Sequence, residues 1–215
     1  MDKIVIGVTL DDVVRDINTK FKELYAKRVI ASNEIILKSS DKTEVVDGVE
    51  SVIQCFENVV DDKEINYEQI IDIYNLTQYF SSEEETIDYI YNDYVFDLYA
   101  LSNETKEKIV IELNKINGIA NDFNIELIII LKEFGKQRSS SLHFLAKTYC
   151  ELSKVIFIDE YKDVFNYCNY IVTTNYHLFS DKRVIKVETE YNKQHTCDLT
   201  IKNISKLPEL FEILK

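Results

Sequence analysis

The chain has 215 residues, 46% of them hydrophobic and 29% charged, with a formal net charge of −13. That length and apolar share suffice for one or two domains with a buried core. The negative balance argues against a broad nucleic-acid face and against docking on anionic membranes. Four Gly and one Pro leave no flexible linker or low-complexity stretch. Cys55, Cys150, Cys168 and Cys197 are scattered without a CxxC pair, so reduced thiols are expected rather than a disulfide framework or a zinc site. No signal-peptide pattern follows Met1, and the apolar run Leu127 to Leu131 is too short to span a bilayer. The expectation is a soluble intracellular protein.

In chain order, Lys3 to Val8 (KIVIGV) is apolar on both faces and reads as a buried parallel strand. Thr9-Leu10-Asp11-Asp12 follows, then a helix with Val14, Ile17, Phe21, Leu24 and Tyr25 on one face. From Val29 the pattern changes. Val52, Ile53, Phe56 and Val59, then Ile70, Ile73 and Tyr74, then Ile87, Ile90, Tyr91 and Tyr94 recur at three- and four-residue steps and predict several helices, with short strands between Arg28 and Val46. A helix through Ile109, Leu113 and Ile116 leads into a second strand, Ile125 to Leu131. A helix from Ser139 to Leu152 is expected to bury Leu142, Leu145, Ala146 and Tyr149. Lys154 to Ile158, Tyr170 to Thr174 and Arg183 to Val187 read as three further strands, and a last helix is expected from about Leu207 to Leu214, with Pro208 in its first turn.

Strands separated by helical stretches imply parallel βαβ units. The expected architecture is an α/β core over residues 1–28 and 106–215, with a mainly helical cap over 29–105 inserted after the first strand. Ligands of such sheets sit at the carboxyl ends of the strands. Thr9, Asp11, the Leu131-Lys132-Glu133 turn and Thr173-Thr174 are expected there.

The segment Ile4 to Asp16, IVIGVTLDDVVRD, resembles the first motif of the haloacid-dehalogenase-like superfamily, an apolar strand followed by Asp-x-Asp. The helical insertion after the first strand resembles that of the 5′(3′)-deoxyribonucleotidases. Leu131 to Lys147 occupies the region of the second and third motifs, and Val155 to Thr174 the approach to the fourth. The resemblance implies a Rossmann-like core with a cap and Mg²⁺-dependent phosphoryl transfer. It also implies a phage origin, since phage genomes encode many such proteins and the Asn/Ile/Lys/Tyr-rich composition suits an A+T-rich genome.

Measured against that family, the motif residues depart from the pattern. Thr9 stands where the resemblance implies the nucleophilic, metal-binding Asp. Asp11 retains the second Asp, the general acid/base. Leu131 stands where a Ser or Thr hydroxyl is implied. Lys136, Arg138 or Lys147 is available as the third-motif cation, and Arg138 and Lys147 are the candidate phosphate-binding residues. At the fourth motif the strand end reads Thr173-Thr174-Asn175, with Asp159-Glu160 and Asp163 as an alternative acidic set. Exchanging two carboxylates for hydroxyls removes the anionic oxygens that Mg²⁺ requires and the counter-charge that phosphoryl transfer depends on.

Other features are assigned to structure. His143, His177 and His195 have no metal-ligand spacing. Ser139-Ser140-Ser141 reads as a helix cap, with anion binding as the alternative. The stretch Tyr89 to Tyr99 (YIYNDYVFDLY) reads either as core or as an interface rich in amphipathic rings. The leading reading is a non-catalytic structural or interaction subunit, plausible for a phage virion, with a protein partner or a second copy and without cofactor, nucleic acid or membrane. A Mg²⁺-dependent nucleotidase with shifted ligands and a nucleotide- or phosphate-binding module without turnover are the alternatives.

Overall fold

The computed structural model describes residues 3–25, 72–76, 80 and 82–214. The chain divides into two compact units, residues 1–20 with 70–215, and residues 21–69. The strands expected between Arg28 and Val46 and the helix through Val52 to Val59 lie outside the described residues, as does most of the 29–105 insertion.

The first unit is built on a six-stranded, all-parallel sheet in the order β3-β2-β1-β4-β5-β6. Its strands are β1 (Ile4–Val8), β2 (Ile125–Leu131), β3 (Val155–Phe157), β4 (Tyr170–Thr173), β5 (Val184–Val187) and β6 (Leu199–Ile201). The five expected strands form, and β6 is added beyond them. It pairs with β5 through Lys186 and Thr200. The chain winds outward from β1 in both directions, so the order reverses between β1 and β4. In open sheets of this kind, ligands bind at such a reversal, at the carboxyl ends of the two strands. Gly7 in β1 is required by crowding. A Cβ there would stand 2.7 Å from Ile130 Cδ1 and 2.8 Å from Ile171 Cδ1, inside contact distance.

Both sheet faces are buried, as the doubly apolar strands require. One face packs Ile6, Val8, Leu127 and Ile129 against α4 (Ile109–Asp122), α5 (Lys136–Lys147) and the 3₁₀ segment Ile204–Leu210. The other packs Ile128, Ile130 and Ile171 against Val164, Cys168 and Phe179, carried by short turns and by the 3₁₀ segment Tyr161–Asn166. Cys168 is buried, and Cys150, Cys168 and Cys197 are free thiols; Cys55 lies outside the described residues. Among the described residues no helix is long and apolar enough to cross a membrane.

Several expected elements shift. The first helix, α1, begins at residue 17, not near Val14. The amides of Val13, Val14 and Arg15 converge on the Leu10 carbonyl, and Asp12 adopts φ +53°, so a tight turn replaces the first helical turn. The helix before β2 starts at Ile109 because Lys108 is left-handed at φ +64°, and Glu104 accepts from the Val110 amide.

The helix after β2 starts at Lys136, not Ser139, and stops at Lys147 ahead of left-handed Tyr149. Its buried side is Gln137, Ser140, Ser141, Phe144 and Leu145. Leu142 and Tyr149, expected inside, are 46% and 82% exposed, and Ala146 is exposed too. The helix turns Ser140 and Ser141 inward because Ser141 meets a buried ion-pair network described below. The serines also do not cap it, since Ser139 and Ser140 donate back to the Lys136 carbonyl.

The Tyr-rich stretch breaks into α2 (Glu83–Ile87), a π-helical segment Asp88–Asp93 and α3 (Val95–Tyr99). Ile73 and Tyr74 lie in a turn. The last helix is a 3₁₀ segment begun at Ile204 by Asn203, whose side chain accepts from the Ser205 amide, and Pro208 falls inside it rather than in its first turn.

Candidate functional site

The carboxyl ends of β1 and β4 carry a polar cluster between two cores. Thr9, which follows β1, is 8% exposed. Its amide donates to the Val172 carbonyl at 3.0 Å, and its hydroxyl reaches Thr173 Oγ1 at 3.1 Å and the Val172 carbonyl at 3.4 Å. Thr173 Oγ1 also accepts from the Asn175 amide. Thr174 Oγ1 donates to the Asp11 carbonyl at 3.0 Å and is paired with the Tyr74 hydroxyl. The expected strand-end residues Thr9, Asp11, Thr173 and Thr174 therefore meet, and their hydroxyls stitch β1 to β4.

The centre of the cluster is Arg15, which sequence reasoning did not single out. It is fully buried. Nε and Nη2 donate to Asp11 Oδ1, Nη2 also donates to Glu133 Oε1 at 3.0 Å, and Nη1 donates to the Tyr99 carbonyl at 2.9 Å and to Ser141 Oγ. A guanidinium has five N–H donors, and all five are engaged. The cation lies 4.8 Å from the Tyr99 ring centre and 5.6 Å from that of Phe144. Ser141 Oγ donates in turn to Glu133 Oε1. Glu133 is 3% exposed, and its other oxygen, Oε2, is buried without a hydrogen-bond partner. Burial pushes the Glu133 carboxyl up, and Asp11 adds to that; Arg15 opposes it. A readable signal for Arg15 was its place four residues after Asp11, as the one cation in the acidic turn Leu10 to Asp16.

Asp12 faces another way. Its Oδ1 accepts from the Ile17 and Asn18 amides at 3.1 and 3.2 Å, and its Oδ2 from the Tyr191 hydroxyl at 3.0 Å. Burial raises its pKa to about 7, with Asp11 and Asp16 adding repulsion, while the Asn18 amide and the Tyr191 hydroxyl oppose the rise. Phenols crowd the same edge. Tyr74 meets Tyr176 and Tyr191 edge-on at 5.9 and 6.1 Å. Tyr74, Tyr99 and Tyr161 are all held protonated by burial, and Asp11 pushes each further the same way.

The remaining candidates are tied elsewhere. Leu131 is buried in the core. Lys147 Nζ donates to the Ser102 carbonyl at 3.0 Å, and burial, with Lys20 and Arg15, lowers its pKa. Arg138 donates to the Glu133 carbonyl and faces Asp159 at 3.4 Å. Lys132 pairs with Glu160 at 3.6 Å and lies 5.2 Å from the Tyr161 ring centre. Lys136 is exposed at the start of α5, and Asp163 lies in the 161–166 turn. His143 packs on Phe96, and His177 and His195 flank the Tyr176 ring.

These donors do not fit the Mg²⁺ site that the family resemblance implies. Such an ion needs several hard, anionic oxygens in a near-octahedral shell. Here the Asp11 carboxylate is paired with a guanidinium, and Thr9, Thr173 and Thr174 direct their hydroxyls at one another and at carbonyls. Among the described residues no group of three His, Cys, Asp or Glu side chains is placed to hold a metal. No family model and no curated protein matches the chain.

Proposed function

We propose that the chain is a non-catalytic protein on a haloacid-dehalogenase-like scaffold, working as a structural or interaction subunit, with a phage particle as its setting. The observation that carries this reading is the saturated Arg15. In a phosphatase of this kind, a cation and an acid at the strand ends are available to substrate. Here the Asp11 carboxylate that would move protons is a structural partner of the buried Arg15, and the candidate phosphate-binding cations Arg138 and Lys147 donate to the Glu133 and Ser102 carbonyls. Among the described residues the Thr9 hydroxyl contacts a carbonyl and another hydroxyl, neither of them a base. The scaffold assignment draws on the first-motif segment lying at the β1 switch point. The phage setting draws on the resemblance and on composition.

An interaction role is favoured by the surface of the Tyr-rich stretch. Ile87, Tyr91, Phe96, Leu101 and Leu142 are large apolar side chains between 38% and 48% exposed, and Phe96 of α3 meets His143 of α5 at 5.3 Å. Exposed apolar groups gathered on neighbouring elements mark binding faces more often than isolated ones do.

The test is phosphate release from a panel of nucleoside monophosphates with Mg²⁺, with Asp11→Asn as control. The expected result is no release above that of the variant. Release by the native chain that the variant lacks would return the protein to the phosphatases.

A further inference from the structure

Of the described glycines, Gly118 is the one that the fold does not account for. Gly7 avoids a clash with Ile130 and Ile171, and Gly135 takes a φ of +49°. Gly118 lies in the interior of α4, on its exposed side, and a Cβ there would meet no described atom within 4 Å. A helix interior favours every residue except Pro over Gly, because Gly gives up the most backbone entropy on folding. A glycine kept there without crowding leaves room for something that approaches the helix from outside.

The neighbouring residues say what fits. α4 buries Val110, Leu113, Ile116 and Ala120 in the core. Its outer side carries Lys115, Gly118, Ile119 and Asp122, all exposed, Ile119 to 42%. Steps of three, one and three residues stack these four as one stripe. Other charges at this helix are paired, Glu112 with Lys106 at 3.8 Å and Lys108 with Glu107 at 3.3 Å. Among the described residues Lys115 and Asp122 enter no ion pair. Run in the opposite direction, the stripe is its own complement: Asp122 falls opposite Lys115, and Ile119 opposite Gly118. An antiparallel copy of α4 therefore sets each Ile119 side chain over the other's Gly118 and closes two Lys115–Asp122 pairs beside that crossing.

We infer that the outer face of α4 pairs with α4 of a second copy of the chain, about a two-fold axis at the level between Gly118 and Ile119. Such a contact is isologous, so one patch serves both copies and association stops at two. A strongly basic or acidic foreign partner fits less well, since the stripe carries one charge of each sign. One helix pair is a small interface, so the dimer is expected to exchange with monomer. This face is separate from the surface formed by α3 and α5, and pairing there is independent of whether the chain turns over a substrate.

The experiment is sedimentation equilibrium on the full chain, from dilute solution up to its solubility limit. The native chain is expected to show a reversible monomer–dimer equilibrium. Gly118→Leu fills the space that Ile119 of the second copy takes. Lys115→Glu and Asp122→Lys each replace two attractions by two repulsions. Each of the three is expected to raise the dimer Kd about tenfold. An equimolar mixture of the Lys115→Glu and Asp122→Lys chains restores both attractions across the interface, and a heterodimer of near-native affinity is expected. Gly118→Leu is also expected to raise the melting temperature of the dilute, monomeric chain, because Leu is the better helix former. A variant that firms the monomer while it loosens the dimer is not one that has lost structure. A native chain that stays monomeric throughout, a dimer that Gly118→Leu or the charge reversals leave as tight, or a mixture that fails to associate overturns the inference.

Discussion

Among the described residues, Arg15 and Lys186 are the two buried cations, and their surroundings differ. Arg15 sits at the β1–β4 switch point and answers two carboxylates, a hydroxyl and a carbonyl. Lys186 on β5 has no carboxylate bonded to it. Its Nζ donates to the carbonyls of Asn192 at 3.0 Å and His195 at 2.8 Å, and it lies 5.6 Å from the Phe179 ring centre. The first cation cancels charge inside the fold, whereas the second ties a surface loop to the sheet through neutral dipoles. What each holds in place decides what its removal leaves behind. Without Arg15, two acids stand beside each other with no counter-charge. Without Lys186, two carbonyls lose their donor, one on buried Asn192 and one on exposed His195, and no ion is stranded.

The largest effect is therefore expected at Arg15. Arg15→Ala should lower the unfolding free energy by about 3–5 kcal/mol, the usual cost of stranding a buried partner charge. Urea denaturation at pH 7 measures it. Arg15→Lys restores the charge but brings three donors on a point-like ammonium instead of a five-donor fork, so it should recover only part of the loss. A Lys variant as stable as the native chain would show that charge alone matters and that the fork geometry does not.

Lys186→Met comes next. It keeps the aliphatic stem and removes two charge-to-carbonyl bonds without orphaning an ion, so about 1–3 kcal/mol is expected. Hydrogen exchange should locate the change in residues 188–198, while the amides around Thr9 and Asp11 stay protected. A loss as large as that of Arg15→Ala would erase the distinction between the two sites.

How much of this was legible in the sequence follows the same division between local and distant causes. The β1 and β2 runs, Lys3 to Val8 and Ile125 to Leu131, announce themselves because both faces are buried and every position is apolar or nearly so. Asp11, Thr9 and Thr173-Thr174 could be placed at one edge because strand ends in a parallel sheet converge by topology. The strand Leu199–Ile201 is too short for a period to be read from it. The role of Arg15 was hidden because its partners other than Asp11 are distant in the chain: Glu133 is 118 residues away and Ser141 is 126. The same network explains the misread face of α5. Local periodicity favours burying Leu142 and Tyr149, but the buried ion pair draws Ser141 inward and turns those side chains to the surface.

The smallest effect, and the one that sharpens the comparison most, is expected at Asp12. Among the described residues no cation is bonded to it, and it is held by the Ile17 and Asn18 amides and the Tyr191 hydroxyl. Its pKa is raised from an unfolded value of 3.8 to about 7. In that window the folded chain binds a proton that the unfolded chain has already released. Its contribution to stability is therefore fully present below the unfolded value and is lost as the pH rises through about 7. Because the side chain is half-buried, solvent screening keeps the effect below those at the two buried cations. Asp12→Asn should abolish this part of the pH dependence while keeping an acceptor for the two amides. Unfolding free energies of the two chains at pH 5 and pH 8 measure it: the native chain should lose more on going to pH 8 than the variant does. Equal losses would mean that the amides and the phenol stabilise the ionised carboxylate as fully as Arg15 would, and that an acid at this edge needs no cation.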